Sequence, residues 1–400
     1  METQYIPDRT PYLEFVSRIR SGRPLALATI VAAAGSTPQV PGASALFSDE
    51  GLIAGTVGGG YIEARAARLA RNALNRQVSG LYEFSLADNL AEDADGVCGG
   101  TLSLLIDAFP DRHIGEFRKL DCAAKARRRG VLATWIKRSR GTDVRELRRV
   151  WIPEHRSRSR KIGLPGLADA CRRALAERRP HLFRHVRDWL YLEPYFPPPR
   201  LVVAGAGHVG RAVAHLGKFL GFEVTVIDDR PEFADPRRFP DADKIIVGEF
   251  GRTLRKLAPG SDTFIVIVTR GHRRDEEALR ACLGRAAGYI GMIGSRRKIS
   301  LMRKKFLDRG WATAARWNRL YAPIGMPIGS TTVEEIAVSI AAELVSVRRS
   351  LGREAALRAP LRAAAVAFPS DISALPGRRE NRRKYPDGRS SMVKKMGGRT

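Results

Sequence analysis

The chain lacks any run of about 18 uncharged apolar residues, the length a membrane-spanning helix requires. Its N-terminus, METQYIPDRTPYLEFVSRIR, holds no apolar signal core, so a cytoplasmic protein with no membrane partner is expected. Cysteine is scarce. The four thiols, Cys98, Cys122, Cys171 and Cys282, are far apart and form no CxxC pair. That spacing argues against a structural zinc site or a disulfide framework and favours reduced thiols. Acidic residues are also short, 42 Asp and Glu against 69 Lys and Arg, leaving a net charge of +27. Such a field attracts anions. The excess is concentrated in KARRRG, RSRGTDVRELRR, EHRSRSRK and the final GRRENRRKYPDGRSSMVKKMGGR. No zinc-finger, RRM or KH signature accompanies these segments, so nucleic acid is not the expected partner and ranks behind the readings below.

What is present is organised in blocks. With 400 residues, two or three domains are expected. Residues 1–110 form an N-terminal α/β block, with strands in PLALATIVAA, GASALFSDEGLIAG and GGTLSLLIDAF. In it, YIEARAARLARNALNR reads as a helix with Ile62, Ala66, Leu69 and Leu74 near one face. Residues 111–199 are a basic middle segment ending in a proline-rich linker, EPYFPPPR. Within that segment VLATWI echoes the earlier ALATIV, and each begins a strand series. From 200 to 350, LVVAGAG, EVTVIDD, DKIIVGEF, DTFIVIVTR and GYIGMIG alternate with helical stretches. This predicts a Rossmann-like, doubly wound parallel sheet. Residues 351–400 read as a basic, disordered tail.

Two glycine clusters each open a helix. GAGHVG places Gly205, Gly207 and Gly210 in the G-x-G-x-x-G spacing after an apolar strand. Gly205 permits the tight turn, Gly207 lets the backbone approach a pyrophosphate, and Gly210 lets helix and strand pack closely. The helix N-terminus adds N–H groups and partial positive charge. Asp228 closes the next strand and suits ribose hydroxyls, with Asp229 adjacent. Arg230 suits a 2′-phosphate, which leaves NAD and NADP both open. His208 lies beside the expected phosphates, or faces solvent in the first helical turn. His272 follows the strand FIVIV at the ligand edge of such a sheet, and Asp275 either joins it or caps the next helix.

The first cluster, GTVGGGYIEA, offers Gly58, Gly59 and Gly60 as an anion nest or as a tight strand-to-helix turn. The preceding loop, GSTPQVPGAS, presents the hydroxyls of Ser36 and Thr37 on a proline-stiffened backbone. Cys98, in DGVCGG, reads as a low-pKa thiolate, a metal ligand or a sulfur carrier, or as a small buried hydrophobe.

Together these segments resemble the xanthine dehydrogenase accessory factors, the XdhC/CoxI family. The resemblance rests on GSTPQVPGA, GTVGGGYIEA and CGG, then on LVVAGAGHVGRAVA, VTVIDDRPEFA, VTRGHRRDEEAL, GYIGMIGSRRKISLMRKKF and APIGMPIG followed by EEIAVSIAAELV. It implies a protein that binds molybdenum cofactor (molybdopterin). Such a factor helps sulfurate the cofactor and insert it into a client molybdenum hydroxylase such as xanthine dehydrogenase. A cysteine desulfurase and a second copy of the chain, as a homodimer, are the further partners expected. On this resemblance Gly58, Gly59 and Gly60 meet phosphate, and Cys98 lies near the molybdenum or its sulfur as a soft metal ligand. Ser295 at a helix start, followed by Arg296, Arg297 and Lys298, becomes a phosphate-facing end of the sheet or an ordinary N-cap.

The chain departs from the family pattern at two motif positions, and its arginine-rich middle segment, 111–199, matches the family poorly. Gln39 stands where a basic residue is usual, and GSTTVEEIA lacks the proline usual before its glutamates. The competing reading is an NAD(P)-dependent oxidoreductase, carried by Gly205, Gly207, Gly210 and Asp228.

Overall fold

The computed structural model describes residues 10–19, 22–85, 99–157 and 165–357. Three sheets carry the fold. The first contains β1 (Ala26–Ala34), β2 (Ser44–Phe47), β3 (Leu52–Gly55), β4 (Gly80–Ser85) and β5 (Thr101–Asp107), in the order β3-β2-β1-β5-β4. All neighbouring strands are antiparallel. Helix α1 (Thr10–Arg18) precedes it, and α2 (Gly60–Arg76) links β3 to β4.

The alternation in ALATIVAAA sends Ala26, Ala28 and Ile30 to the α2 face. Ala26 and Ala28 share a core with Ala66, Ala70 and Ala73, small side chains that let helix and sheet approach closely. The buried stripe of α2 is Ile62, Ala66, Ala70 and Ala73. Leu69 and Leu74, expected on that face, are half-buried flanks packed against the same cluster.

The basic middle segment is itself folded. Helix α3 (Ile114–Lys125) leads into β6 (Gly130–Arg138), β7 (Val144–Pro153), α4 (Glu154–Ser157), α5 (Leu167–Glu177), β8 (His181–His185) and β9 (Asp188–Tyr195). The strand order β7-β6-β9-β8 reproduces β2-β1-β5-β4 of the first sheet, with α5 standing where α2 stands. The segment is therefore a second ββαββ unit. The ALATIV/VLATWI echo is the visible trace of this match. Val131, Ala133 and Trp135 face α5 as Ala26, Ala28 and Ile30 face α2. Leu27 with Leu132, and Val31 with Ile136, meet in the clusters between the two sheets. The result is four layers: α2, sheet, sheet, α5.

Polar contacts cross the inter-sheet layer at one end. Asp107 of β5 is 1% exposed and accepts a hydrogen bond from Arg149 Nη1 of β7, itself 4% exposed. Beside them, His113 Nε2 lies 3.1 Å from the Leu147 carbonyl oxygen, and its Nδ1 lies 3.9 Å from Asp107 Oδ2. Burial, and then the Arg149 charge, push the His113 imidazole down to about 4. An unfolded histidine takes its proton near 6.5. The folded state therefore loses stability as pH falls from about 6.5 toward about 4, by up to about 3 kcal/mol. Urea titrations across this window should show the loss in the wild type and a clearly smaller one in His113→Gln. Equal slopes for the two proteins would contradict it.

The third sheet is parallel, in the order β12-β11-β10-β13-β14. Its elements are β10 (Arg200–Ala204), α6 (His208–Phe219), β11 (Glu223–Asp228), β12 (Lys244–Val247), α7 (Phe250–Lys256), β13 (Thr263–Ile267), α8 (His272–Cys282), β14 (Tyr289–Met292), α9 (Arg296–Asp308), α10 (Ala314–Trp317) and α11 (Val333–Leu357). One cluster, with α7, α8 and α9, covers one face, and another, with α6 and α11, covers the other. This is the expected doubly wound domain. It is joined to the middle unit by Arg127, whose Nη1 bonds Glu223 and whose Nη2 donates to Asp262 Oδ2 and to the Pro198 carbonyl, each at 2.7 Å. Helix α11 runs to Leu357, seven residues into the expected tail. The rest of the expected tail lies outside the described residues.

Candidate ligand-binding edges

The sequence-predicted residues fall into two groups, each at one edge of a sheet. In the first sheet, β1 and β3 end, and β2 and β5 begin, at the same edge, because Ala34 pairs with Thr101, Thr29 with Ser44 and Ala45 with Gly55. Topology alone thus brings together the Ser36–Thr37 loop, the triple glycine and the CGG segment. The contacts are close. A Cβ on Gly100 would lie 2.4 Å from the Ser36 carbonyl oxygen and 2.8 Å from Thr37 Cγ2. One on Gly58 would lie 3.0 Å from Pro38 Cγ. Thr37 Oγ1 donates to the Gln39 carbonyl oxygen at 2.9 Å, while Ser36 is exposed. Gln39 Oε1 accepts from Val40 N at 3.3 Å, so the residue that departs from the family pattern braces its own loop. Cys98 lies outside the described residues; Gly99, its neighbour in sequence, is at this edge.

Gly58, Gly59 and Gly60 all take positive φ, at 128°, 68° and 48°. Only glycine adopts three such residues in succession without strain. The turn is held by residues that motif reading passed over. Thr56 Oγ1 donates to Glu63 Oε2 at 2.8 Å and accepts from Gly58 N at 3.1 Å. Among the described residues no side chain caps α2, and a Cβ on Gly59 or Gly60 would meet nothing within 4 Å. Among the described residues nothing covers the N-terminus of α2, so its N–H groups and partial positive charge face outward, as an anion would need. A threonine–glutamate pair flanking the glycines is the signal that could have revealed the brace.

The second group lies on the carboxyl edge of the parallel sheet. The strand order reverses between β10 and β13, so the ligand crevice of such a fold opens between the first turns of α6 and α8. Gly205 has φ 122°, and its Cβ would meet the Val268 carbonyl oxygen at 2.3 Å. A Cβ on Gly210 would meet the Gly205 carbonyl oxygen at 1.8 Å. Both glycines are thus required by packing. Gly207 differs: its φ is −71°, it caps α6 without a side-chain bond, and a Cβ there would meet none of the described residues within 4 Å. His208 and His272 are exposed at the first positions of α6 and α8.

Three other residues are already engaged. Ser295 is the N-cap of α9, its Oγ accepting from Lys298 N at 3.3 Å. Asp275 is fully buried and does not cap α8; it accepts from Thr269 Oγ1 at 2.7 Å and from Lys298 Nζ. Lys298 therefore turns inward and ties α9 to α8, while Arg296 and Arg297 face outward. Asp228 is buried, with Oδ2 accepting from Ala206 N at 2.8 Å and Oδ1 accepting from Arg230 Nε at 2.9 Å. Burial raises its pKa, but hydrogen bonds from Arg230 and from the Ala206 and Arg230 amides outweigh this and hold it below the ordinary carboxylate value.

The order of these motifs, on these two edges, agrees with comparison to known proteins. A model described as the XdhC Rossmann domain matches residues 201–344, and one described as the XdhC and CoxI family matches residues 18–85. The chain belongs to the XdhC and CoxI family. The second ββαββ unit lies between the two matched segments. A probable xanthine dehydrogenase subunit of Bacillus subtilis (strain 168) is 26% identical over 327 residues, covering 81% of this chain and 93% of that protein. The uncharacterized protein YqeB of Escherichia coli (strain K12) is 27% identical over 328 residues, covering 82% of this chain. The chain spans 44% of YqeB's length. The crystal structure of a xanthine dehydrogenase from Bacillus halodurans shares the fold, with a TM-score of 0.67 and 24% identity over 85% of this chain and 96% of that one.

Proposed function

We propose that this XdhC/CoxI-family chain is a maturation factor that binds molybdenum cofactor, presents it for sulfuration and delivers it to a xanthine dehydrogenase-type molybdenum hydroxylase. The observation that carries the reading is a pair of glycine cradles, at Gly58–Gly60 and Gly205–Gly210, with no described residue filling the space in front of their helix N-termini. Such cradles suit the phosphate of a pterin or of its dinucleotide. The names of the two Bacillus relatives refer to xanthine dehydrogenase, which supports that class of client.

The residues divide the work. The first-turn N–H groups of α6 and α2 hold phosphate, with Ser36 and Thr37 at the rim of the α2 cradle. When bound, the molybdenum centre supplies the hydroxylation chemistry of the client, not of this chain. A soft thiolate at Cys98 suits the sulfur side of that centre. Of the described cysteines, burial pushes the Cys171 and Cys282 thiols up to about 12, which leaves them protonated at neutral pH. Cys122 lies exposed on α3. A persulfide from a cysteine desulfurase is the fitting sulfur source, and a homodimer the fitting assembly.

The reading is tested by loading a cofactor-free molybdenum hydroxylase from the purified chain. Cys98→Ala is expected to transfer pterin at the wild-type level while the activity gained by the client falls at least about tenfold, the scale of one lost sulfur-side contact. A Cys98→Ala protein equal to the wild type in both respects would remove Cys98 from the mechanism. Failure of the wild type to transfer any pterin would overturn the reading as a whole.

A further inference from the structure

We infer that the crevice between β10 and β13 takes a phosphate-bearing ligand without reading a ribose cis-diol, because Arg230 already occupies the carboxylate that would read it. The inference rests on the proposal that phosphate docks at the Gly205–Gly210 turn, and it narrows the class of ligand held there.

In a dinucleotide site, an acid at the end of the second strand accepts hydrogen bonds from the ribose hydroxyls. Here that acid is Asp228. An ionised carboxylate offers about four acceptor positions. Oδ1 accepts from Arg230 N at 3.1 Å and from Arg230 Nε at 2.9 Å. Oδ2 accepts from Ala206 N at 2.8 Å and from Arg230 Nη2 at 3.2 Å. All four are filled, and the residue is 1% exposed. The guanidinium is fixed from a second side as well. It lies 3.5 Å over the Phe233 ring, and Arg238 lies over the same ring at 4.5 Å. A forked, stacked pair of this kind is far more rigid than a lone ion pair.

Asp229 does not replace it. Its Oδ2 is paired with Arg274 Nη2 at 2.8 Å and accepts from Arg270 Nη2 at 3.3 Å. Its Oδ1 is buried and has no hydrogen-bond partner among the described residues, with Arg230 Nε 3.9 Å away. Asp228 is thus fully committed, while Asp229 is held by two arginines through Oδ2 and keeps its other oxygen buried. The phosphate half of the fingerprint is intact, since Gly207 and the first turn of α6 remain open. The chain keeps the part of a dinucleotide site that grips phosphate and closes the part that selects nicotinamide dinucleotide by its ribose.

The test is calorimetric titration of the full-length protein with ADP, 2′-deoxy-ADP and inorganic pyrophosphate. The wild type is expected to bind both nucleotides with dissociation constants within about twofold of each other, and pyrophosphate should displace both. Arg230→Ala frees Asp228, and ADP should then bind at least about tenfold more tightly than 2′-deoxy-ADP. Arg230→Gln, which keeps more of the side-chain volume over Phe233, should move in the same direction. A wild type that prefers ADP by about fivefold or more would overturn the inference. So would nucleotides that do not bind or that pyrophosphate does not displace. A ratio near one in both variants would show that Arg230 is not what withholds the diol. None of these probes carries a pterin, so failure of the molybdenum-cofactor reading would appear separately, as loss of pterin binding with the nucleotide pattern intact.

Discussion

Arg149→Met is expected to lower the folding free energy by about 3–5 kcal/mol, the range for removing one partner of a buried ion pair. The partner left behind, Asp107, is 1% exposed at the end of β5. Apart from His113, whose Nδ1 lies 3.9 Å from Oδ2, its other described contacts are neutral. Oδ1 accepts from Phe109 N at 2.9 Å and from Ser79 Oγ at 3.5 Å. Burial raises the Asp107 pKa, but the charges of Arg149 and His113 and the Arg149 hydrogen bond outweigh it and hold the carboxyl below its usual value. Without Arg149, the burial effect is left to act, and the carboxyl must protonate, draw water between the two sheets or lean on a proton taken up by His113. Arg149 also lies 5.5 Å from the Phe117 ring, so its stem and charge both serve the inter-sheet layer. Urea denaturation at pH 7 measures the loss. Adding Asp107→Asn to Arg149→Met should recover a large part of it, because the stranded charge is then gone. A loss below about 1 kcal/mol would place this pair among the weak surface-type bridges and contradict the account of the inter-sheet layer.

Gly207→Asp is expected to weaken binding of molybdenum cofactor, and of inorganic pyrophosphate, at least about 100-fold, equivalent to about 2.7 kcal/mol. The new carboxylate would enter the open space in front of α6, where a Cβ meets nothing within 4 Å. It would then cap the helix in place of the ligand and set like charge against phosphate, a juxtaposition that costs several kcal/mol. Because φ at Gly207 is −71°, an ordinary side chain fits this backbone and the fold should survive. Gly207→Ala separates the two effects. It adds one methyl group to open space and should reduce affinity far less than aspartate. Unfolding midpoints of both variants should match the wild type. A Gly207→Asp protein that binds pyrophosphate normally would show that the ligand does not use this turn.

The parallel domain was legible in the sequence because its signals are local. Each apolar strand ends near a glycine, an acid or a basic loop, and α6, α7, α8 and α9 each follow a strand within a few residues. The glycine roles could be assigned for the same reason: Gly205 and Gly210 are each forced by one nearby carbonyl oxygen. The use made of Asp228 was not legible. Spacing placed it at the end of β11, but its engagement depends on the rotamer of Arg230 and on Phe233, which spacing does not encode. Lys298 was hidden similarly. It sits in a run of three basic residues that looks uniformly solvated, and only the fold shows that it turns toward Asp275.

The N-terminal half was harder to read. Its strands were visible, but β4, β8 and β9 are short or carry charge, and α3 gave no strong cue. The duplication left six residues of resemblance, ALATIV and VLATWI, because these are the central strands packed on both faces. The peripheral elements are free to diverge. The convergence of Ser36, Thr37, Gly58–Gly60 and Gly99–Gly100 required the strand pairing itself, since those segments are joined by register rather than by sequence distance.

The most direct test of the account is anaerobic equilibrium binding of molybdenum cofactor to the wild-type chain, with pterin retained through gel filtration as the readout. The account predicts stoichiometric retention by the wild type and its loss in Gly207→Asp. A wild-type protein that retains no pterin under these conditions would contradict it.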